Sequence, residues 1–266
     1  MWRGIYTAAA GMVAESVRTD TIANNLANVN TSGYKRDEAI NREFEPMLIR
    51  RIDDHARNDV TSFKGFSIGN PAPVVGVLGM GDYTAEIATD HAQGAMETTG
   101  NPFDLAIMGD GYFGVNTPQG VRYTRDGNFY KATDGRIVTS NGQEVRGRGG
   151  RPIRIPANTA VVSIGSKGEV FADNVRVGEL EFVSFGPDRR AVIKEGNSLY
   201  RAQEGARAVQ ANGDIAQGML ERSNVSVVSE MVNMINNFRC YEAGSKALTT
   251  QDTMLDHSVN EVGRTS

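Results

Sequence analysis

Apolar residues recur every three or four positions at the two ends of the chain and in short alternating runs through its middle, so helices are predicted outside and strands within. Residues 3–28 hold no proline, and Trp2, Ile5, Ala9, Met12, Ser16, Thr19, Ala23 and Leu26 fall on one seam of 3-4 spacing. Its members are small or only moderately apolar. A helix carrying them can approach a partner closely, yet alone in water it buries little and is marginal. From about Ser226 to Asn260 proline is again absent, and Met231, Met234, Ile235, Phe238, Tyr241, Leu248 and Leu255 recur at spacings of three, four and seven. Asn224 or Ser226 is placed to cap this second helix, Glu230 to match the positive end of its dipole, and Gly263 to close it.

Between these ends, β-branched or aromatic runs at 112–116, 121–125, 128–131, 136–139, 153–155, 161–164, 169–171 and 179–185 read as strands. The breaks include Asp126-Gly127, Asp134-Gly135, Asn141-Gly142 and Lys167-Gly168, dipeptides that take positive φ in tight hairpins. An antiparallel all-β domain is therefore expected over roughly residues 83–215. Residues 40–82, with Pro46, Pro71 and Pro73 and few periodic apolar positions, read as a linker or loosely structured arm. The expected fold is α+β, with N- and C-terminal helices, within residues 1–39 and 216–266, paired in a coiled-coil-like domain because neither seam belongs to the β core. Two seams so poor in leucine leave apolar surface outside the pair, which predicts an oligomer.

Charge and composition narrow the function. A formal net charge of -4 gives no electrostatic reason for a nucleic-acid or anionic-membrane partner, and Arg50-Arg51 and Arg146 to Arg154 read as solvated patches. The single cysteine, Cys240, allows no internal disulfide and no multi-cysteine zinc site, and it reads as a buried inert thiol. His55, His91 and His257 lack metal-binding spacing, so no metal and no cofactor are expected. Residues 1–14 lack the pattern of a secretory signal, and no apolar run is long enough to span a membrane.

Four blocks then carry a resemblance: IANNLANVNTSGYKR at Ile22 to Arg36, GNPFDLAIMGDGYF at Gly100 to Phe113, RYTRDGNF at Arg122 to Phe129, and SNVSVVSEMVNMINNFRCYEAGSKALTTQDTMLDHSVNEVGR at Ser223 to Arg264. In this order they closely resemble the signatures of flagellar rod and hook proteins. Within that family the ending VNEVGR and the block beginning LGMGDYTAEIATDHAQG look most like the proximal-rod branch, with the distal-rod branch next. The resemblance implies a structural subunit without catalytic activity that polymerises through its terminal helices, the β domain outside. Its implied partners are copies of itself, other flagellar rod and hook proteins and the flagellar type III export apparatus. Export without a cleaved signal and location in the basal body within the cell envelope follow from the same resemblance, while no membrane insertion is expected because no apolar run is long enough.

Asn24, Asn25 and Asn28 are poor helix-interior residues unless each amide has a defined partner. Spacing alone leaves a fraying turn and a register-fixing polar contact equally open; the resemblance favours subunit packing. The expected packing set is thus Ile5, Ala9, Met12, Ala23, Asn24, Asn25, Leu26, Asn28, Met231, Met234, Ile235, Phe238, Tyr241, Leu248 and Leu255. Gly33 is expected to end the first helical segment at positive φ, and Lys35-Arg36 to form a solvated tip. Gly109, Gly111 and Gly114 lack the context of a nucleotide loop, and Asp104, Asp110 and Asp126 read as turn residues. A β-rich hydrolase of cell-wall glycan is the competing function, resting only on the abundance of acidic turn residues.

Overall fold

The computed structural model describes residues 2–50, 62–63, 66–67, 74–186 and 191–260; the expectations for Arg51, His55, Pro71, Pro73 and Gly263 lie outside them. The chain divides into two compact units. The first comprises Met1–Asp20, Ala39–Ile87 and Met234–Ser266, the second Thr21–Glu38 and Ala88–Asn233. The architecture is α+β, with helix α1 at Trp2–Ala27, helix α2 at Val227–Asn260 and antiparallel strands between.

Helix α2 starts where Ser226 stops the preceding chain: the Ser226 carbonyl accepts from the Glu230 amide at 2.9 Å. Asn224, the other expected cap, has its amide engaged elsewhere, accepting from the Arg36 backbone at 2.7 Å. After α1 the chain turns through residues 28–33 and reaches Gly33 at φ 65°. A Cβ there would lie 2.5 Å from the backbone of Arg125 and Asp126, so glycine is needed for close approach as well as for the turn.

In the first unit, the strand Met47–Arg50 pairs with Val74–Leu78, so residues 40–82 hold a β ribbon among their described parts. Met47, Leu48, Ile49, Val75 and Val77 on that ribbon are exposed. Phe44 packs on Tyr83 with ring centroids 5.0 Å apart, and Asn41 donates to Asp82 at 3.1 Å. No helix among the described residues is long and apolar enough to cross a membrane.

In the second unit, the strand Tyr112–Thr117 is central. It pairs with Gly120–Thr124, Glu144–Val145 and Phe182–Ser184. Alternation sends its neighbours to opposite faces. Phe113 joins Leu105, Ile107, Phe129, Val145, Leu180 and Phe182 in the larger core, while Tyr112 joins Tyr123, Val183, Val192 and Tyr200 in a second cluster. Gly135, Gly142 and Gly168 adopt the positive φ expected of their turns. Gly127 does not; it is required because a Cβ would lie 1.6 Å from the Leu105 carbonyl oxygen. Ile153 and Ile155 are buried as apolar residues should be, but their segment forms isolated bridges and no strand.

Burial is the largest cause raising the hydroxyl pKa values of Tyr34, Tyr112, Tyr123 and Tyr200, and Tyr112 moves from the ordinary 10 to about 12. A group whose pKa is raised on folding stabilises the fold fully below its unfolded value, and that contribution is lost as pH rises through the folded value. Stability is therefore expected to fall between pH 10 and about 12 through Tyr112. An absorbance titration at alkaline pH should show these four tyrosinates appearing together with loss of the β-sheet circular dichroism; ionisation of all four in the still-folded chain would contradict it.

Candidate functional site

The signature segment 22–36 supplies the most buried polar constellation of the second unit. Lys35, expected at a solvated tip, is instead 1% exposed. Its ammonium donates to Glu221 Oε1 at 2.7 Å and to the Ala92 carbonyl at 2.8 Å. The other oxygen of Glu221 faces Arg125 Nη1 at 3.3 Å, and the Gly94 amide donates to Oε1 at 2.8 Å. Arg125 Nη2 in turn donates to the Gly109 carbonyl at 2.7 Å. Such a carboxylate is sustained only because both oxygens meet cations and donors; burial without them would cost several kcal/mol. Burial is also what lowers the Lys35 pKa, with the Glu221 charge opposing it. The tip expectation failed because charge next to a turn residue usually means solvent, and the partners lie 57 and 186 residues away in sequence.

Around this clamp the asparagines divide. Asn25 is buried: it donates to the Asp37 carbonyl at 2.8 Å and accepts from the Asp37 amide at 2.9 Å and the Tyr34 hydroxyl at 3.2 Å. Asn28 and the exposed Asn24 bond to each other at 2.7 Å. Lys194 donates to Asp37 Oδ2 and to the Lys35 carbonyl, both at 2.8 Å, and its ammonium sits 3.6 Å from the centre of the Tyr34 ring. Asp126 accepts from Ser32 at 2.5 Å, and its pKa is raised by burial. Glu230, in the first turn of α2, is buried and faces Arg36 at 3.5 Å.

In the first unit the two helices touch through small and polar residues. The Asn237 amide donates to the Glu15 carbonyl at 2.7 Å, and a Cβ added to Gly244 would lie 3.0 Å from Met12 Cγ. Gln251 also lies close to Gly4, at 3.2 Å from where a Cβ would stand. Ile5, Ala9, Met12, Met234, Leu248 and Leu255 are half-buried, as is Leu26 in the second unit. Ile235, Phe238 and Tyr241 are exposed in the first unit, and Ala23 and Met231 in the second. The half-buried stripe of α2 thus runs Met234, Asn237, Gly244, Leu248, Gln251, Leu255 and Ser258, with Asn237 fully buried. An apolar count overlooks half of it; its 3-4 spacing across small and polar positions is the signal that finds it. Cys240, expected to be buried, is exposed on α2.

Replacing Glu221 by Gln leaves Lys35 and Arg125 buried with no carboxylate and should cost about 3–5 kcal/mol, read as a lower urea midpoint at unchanged slope. A loss below about 1 kcal/mol would mean the clamp contributes no more than a surface pair.

Three family models match the chain: the flagella basal body rod protein over residues 5–35, the flagellar hook protein FlgE/F/G D1 domain over 106–172, and the flagellar basal body rod FlgEFG protein C-terminal over 216–261. Lys35, Arg125 and Glu221 fall one in each. Among curated proteins, the flagellar basal-body rod protein FlgG of Bacillus subtilis is 34% identical over 98% of this chain and 99% of its own length. In Caulobacter vibrioides, FlgG is 34% identical over 95% of this chain and 97% of its own length, and FlgF 32% identical over 92% and 91%. Two names at nearly equal identity within one organism do not choose between branches. They do agree on the family, and this chain belongs to the flagellar basal-body rod proteins, as a structural subunit of the rod.

Proposed function

We propose that the chain builds the rod by polymerising through its terminal helices, which pack against copies of itself and against other rod and hook proteins, and that it performs no catalysis. The observation that carries this reading is the outward face of α2. In the first unit Ile235 and Phe238 are each 54% exposed, while small and polar residues occupy about half of the inward stripe. Tyr6 and Val13 of α1 are exposed too. Large apolar side chains in water beside an inner seam this weak favour a second partner surface. Part of the α2 face, Val228, Met231 and Val232, lies in the second unit and is likewise exposed.

The helices gain much of their stability on assembly, so folding and polymerisation are coupled. Passage through the flagellar export channel without a cleaved signal suits a chain whose ends are held this lightly and which carries no disulfide; the assembled subunit then sits in the envelope portion of the basal body. The non-catalytic reading draws support from how acidic side chains of the second unit are used. Glu221, Asp126 and Asp37 are all engaged in ion pairs or hydrogen bonds within the fold.

Phe238→Asp is expected to leave the circular dichroism of the purified full chain unchanged and to abolish its incorporation into rods, because a charge cannot enter a dry helical interface. Removal of residues 1–20 should likewise abolish incorporation, with helical signal lost but the second unit still folded. A cut at residue 30 would also remove Asn25, and so would confound assembly with folding. Normal rods from the Phe238→Asp chain would overturn the proposal.

A further inference from the structure

The last strand of a sheet presents a row of peptide N–H and C=O groups to which another chain can pair. In the second unit the strands Val162–Ile164, Glu169–Ala172 and Val175–Glu179 form a three-stranded sheet in which Val162–Ile164 is terminal. Its peptide groups alternate in direction. Asp173 donates to the Val161 carbonyl at 3.0 Å and Gly165 to the Glu169 carbonyl at 2.8 Å, so residues 161, 163 and 165 face the neighbouring strand. Val162 and Ile164 therefore turn theirs to the edge. Residues 160–164, AVVSI, carry no charge and no proline, the usual protections of such an edge.

A side chain stands there instead. Gln217, half-buried at the end of the strand Asp214–Gln217, accepts from the Ile164 amide at 3.1 Å and donates to the Val162 carbonyl at 3.0 Å. Its carboxamide does what one residue of an adjoining parallel strand would do, reaching the carbonyl before Ser163 and the amide after it. A further hydrogen bond, to the Pro102 carbonyl at 2.8 Å, ties the same nitrogen to a segment outside the sheet and fixes its place.

The symmetry of the edge defines what it would accept if uncovered. An antiparallel copy of the strand, related by a two-fold axis through Ser163, sets residue 162 opposite residue 164 of the second copy and matches the two N–H and two C=O groups that each strand turns outward. Ser163 is exposed, and Val161 on the same face is 65% exposed. We propose that Gln217 closes this edge: its side chain holds the position that a second copy of the chain would otherwise take, so that the β units do not join strand to strand. The edge contains no residue of α1 or α2, and the inference is independent of polymerisation through the helices.

Sedimentation velocity of the full chain and of Gln217→Ala at equal concentration tests it, any association through the helices being common to both. Gln217→Ala should show an added, concentration-dependent dimer. Gln217→Ala combined with Ser163→Lys should not, because two lysines would then face each other across the axis. In the unsubstituted chain, where no variant has to fold, hydrogen exchange should be about tenfold slower or more at the Ile164 amide than at the Val162 amide, which Gln217 does not reach. A Gln217→Ala chain of unchanged mass, a dimer that survives Ser163→Lys, or equal exchange at the two amides would each overturn the proposal.

Discussion

The buried carboxylate of Glu221 is the constraint on which the second unit depends. A carboxylate with no solvent contact is tolerated only if its whole acceptor capacity is met, and here one oxygen takes Lys35 and the Gly94 amide while the other takes Arg125. These partners come from sequence positions far apart, so the pairing is a topological statement as well as an energetic one. It fixes which stretch of the signature segment enters the β unit and where the chain leaves it toward α2. An apolar cluster in the same place would be at least as stable, but it would tolerate slippage that directional ion pairs do not.

Several local features follow from that constraint. Gly33 lets the signature loop lie directly on the backbone of Arg125 and Asp126, which brings Lys35 into register with Glu221. Asn25 grips the Asp37 backbone with both halves of its amide, and Lys194 holds the next turn through Asp37 and the Tyr34 ring. Asn24, Asn25 and Asn28 therefore have partners inside the chain: Asn25 is buried and bonded through both halves of its amide, and Asn24 and Asn28 bond to each other. Their first physical task is to end α1 in a defined way, whatever they meet in the assembled rod.

The surface proposed to carry polymerisation lies elsewhere, in how α2 distributes its residues. Asn237, Gly244, Gln251 and Ser258 on the inward stripe allow close backbone approach but contribute little burial, and Ile235 and Phe238 are left outside. This is the reverse of a self-sufficient hairpin of helices, where the largest apolar residues would face each other. On the proposed reading, the first unit completes its packing against neighbouring subunits.

The existence and type of each long element were legible in the chain itself: the 3-4 period and absence of proline specified both helices, and Asp134-Gly135, Asn141-Gly142 and Lys167-Gly168 specified three turns, because backbone sterics and local burial act over a few residues. Which face of α2 turns inward, why Gly127 must be glycine, and that Lys35 is buried were decided by tertiary structure. Each depends on atoms far away in sequence: Met12 for Gly244, the Leu105 carbonyl for Gly127, Glu221 for Lys35. A pattern read along the chain registers how apolar a residue is. It does not register that a distant carboxylate stands ready to take a lysine out of water, and that long-range match is what turned an apparent surface tip into a buried ion pair of the second unit.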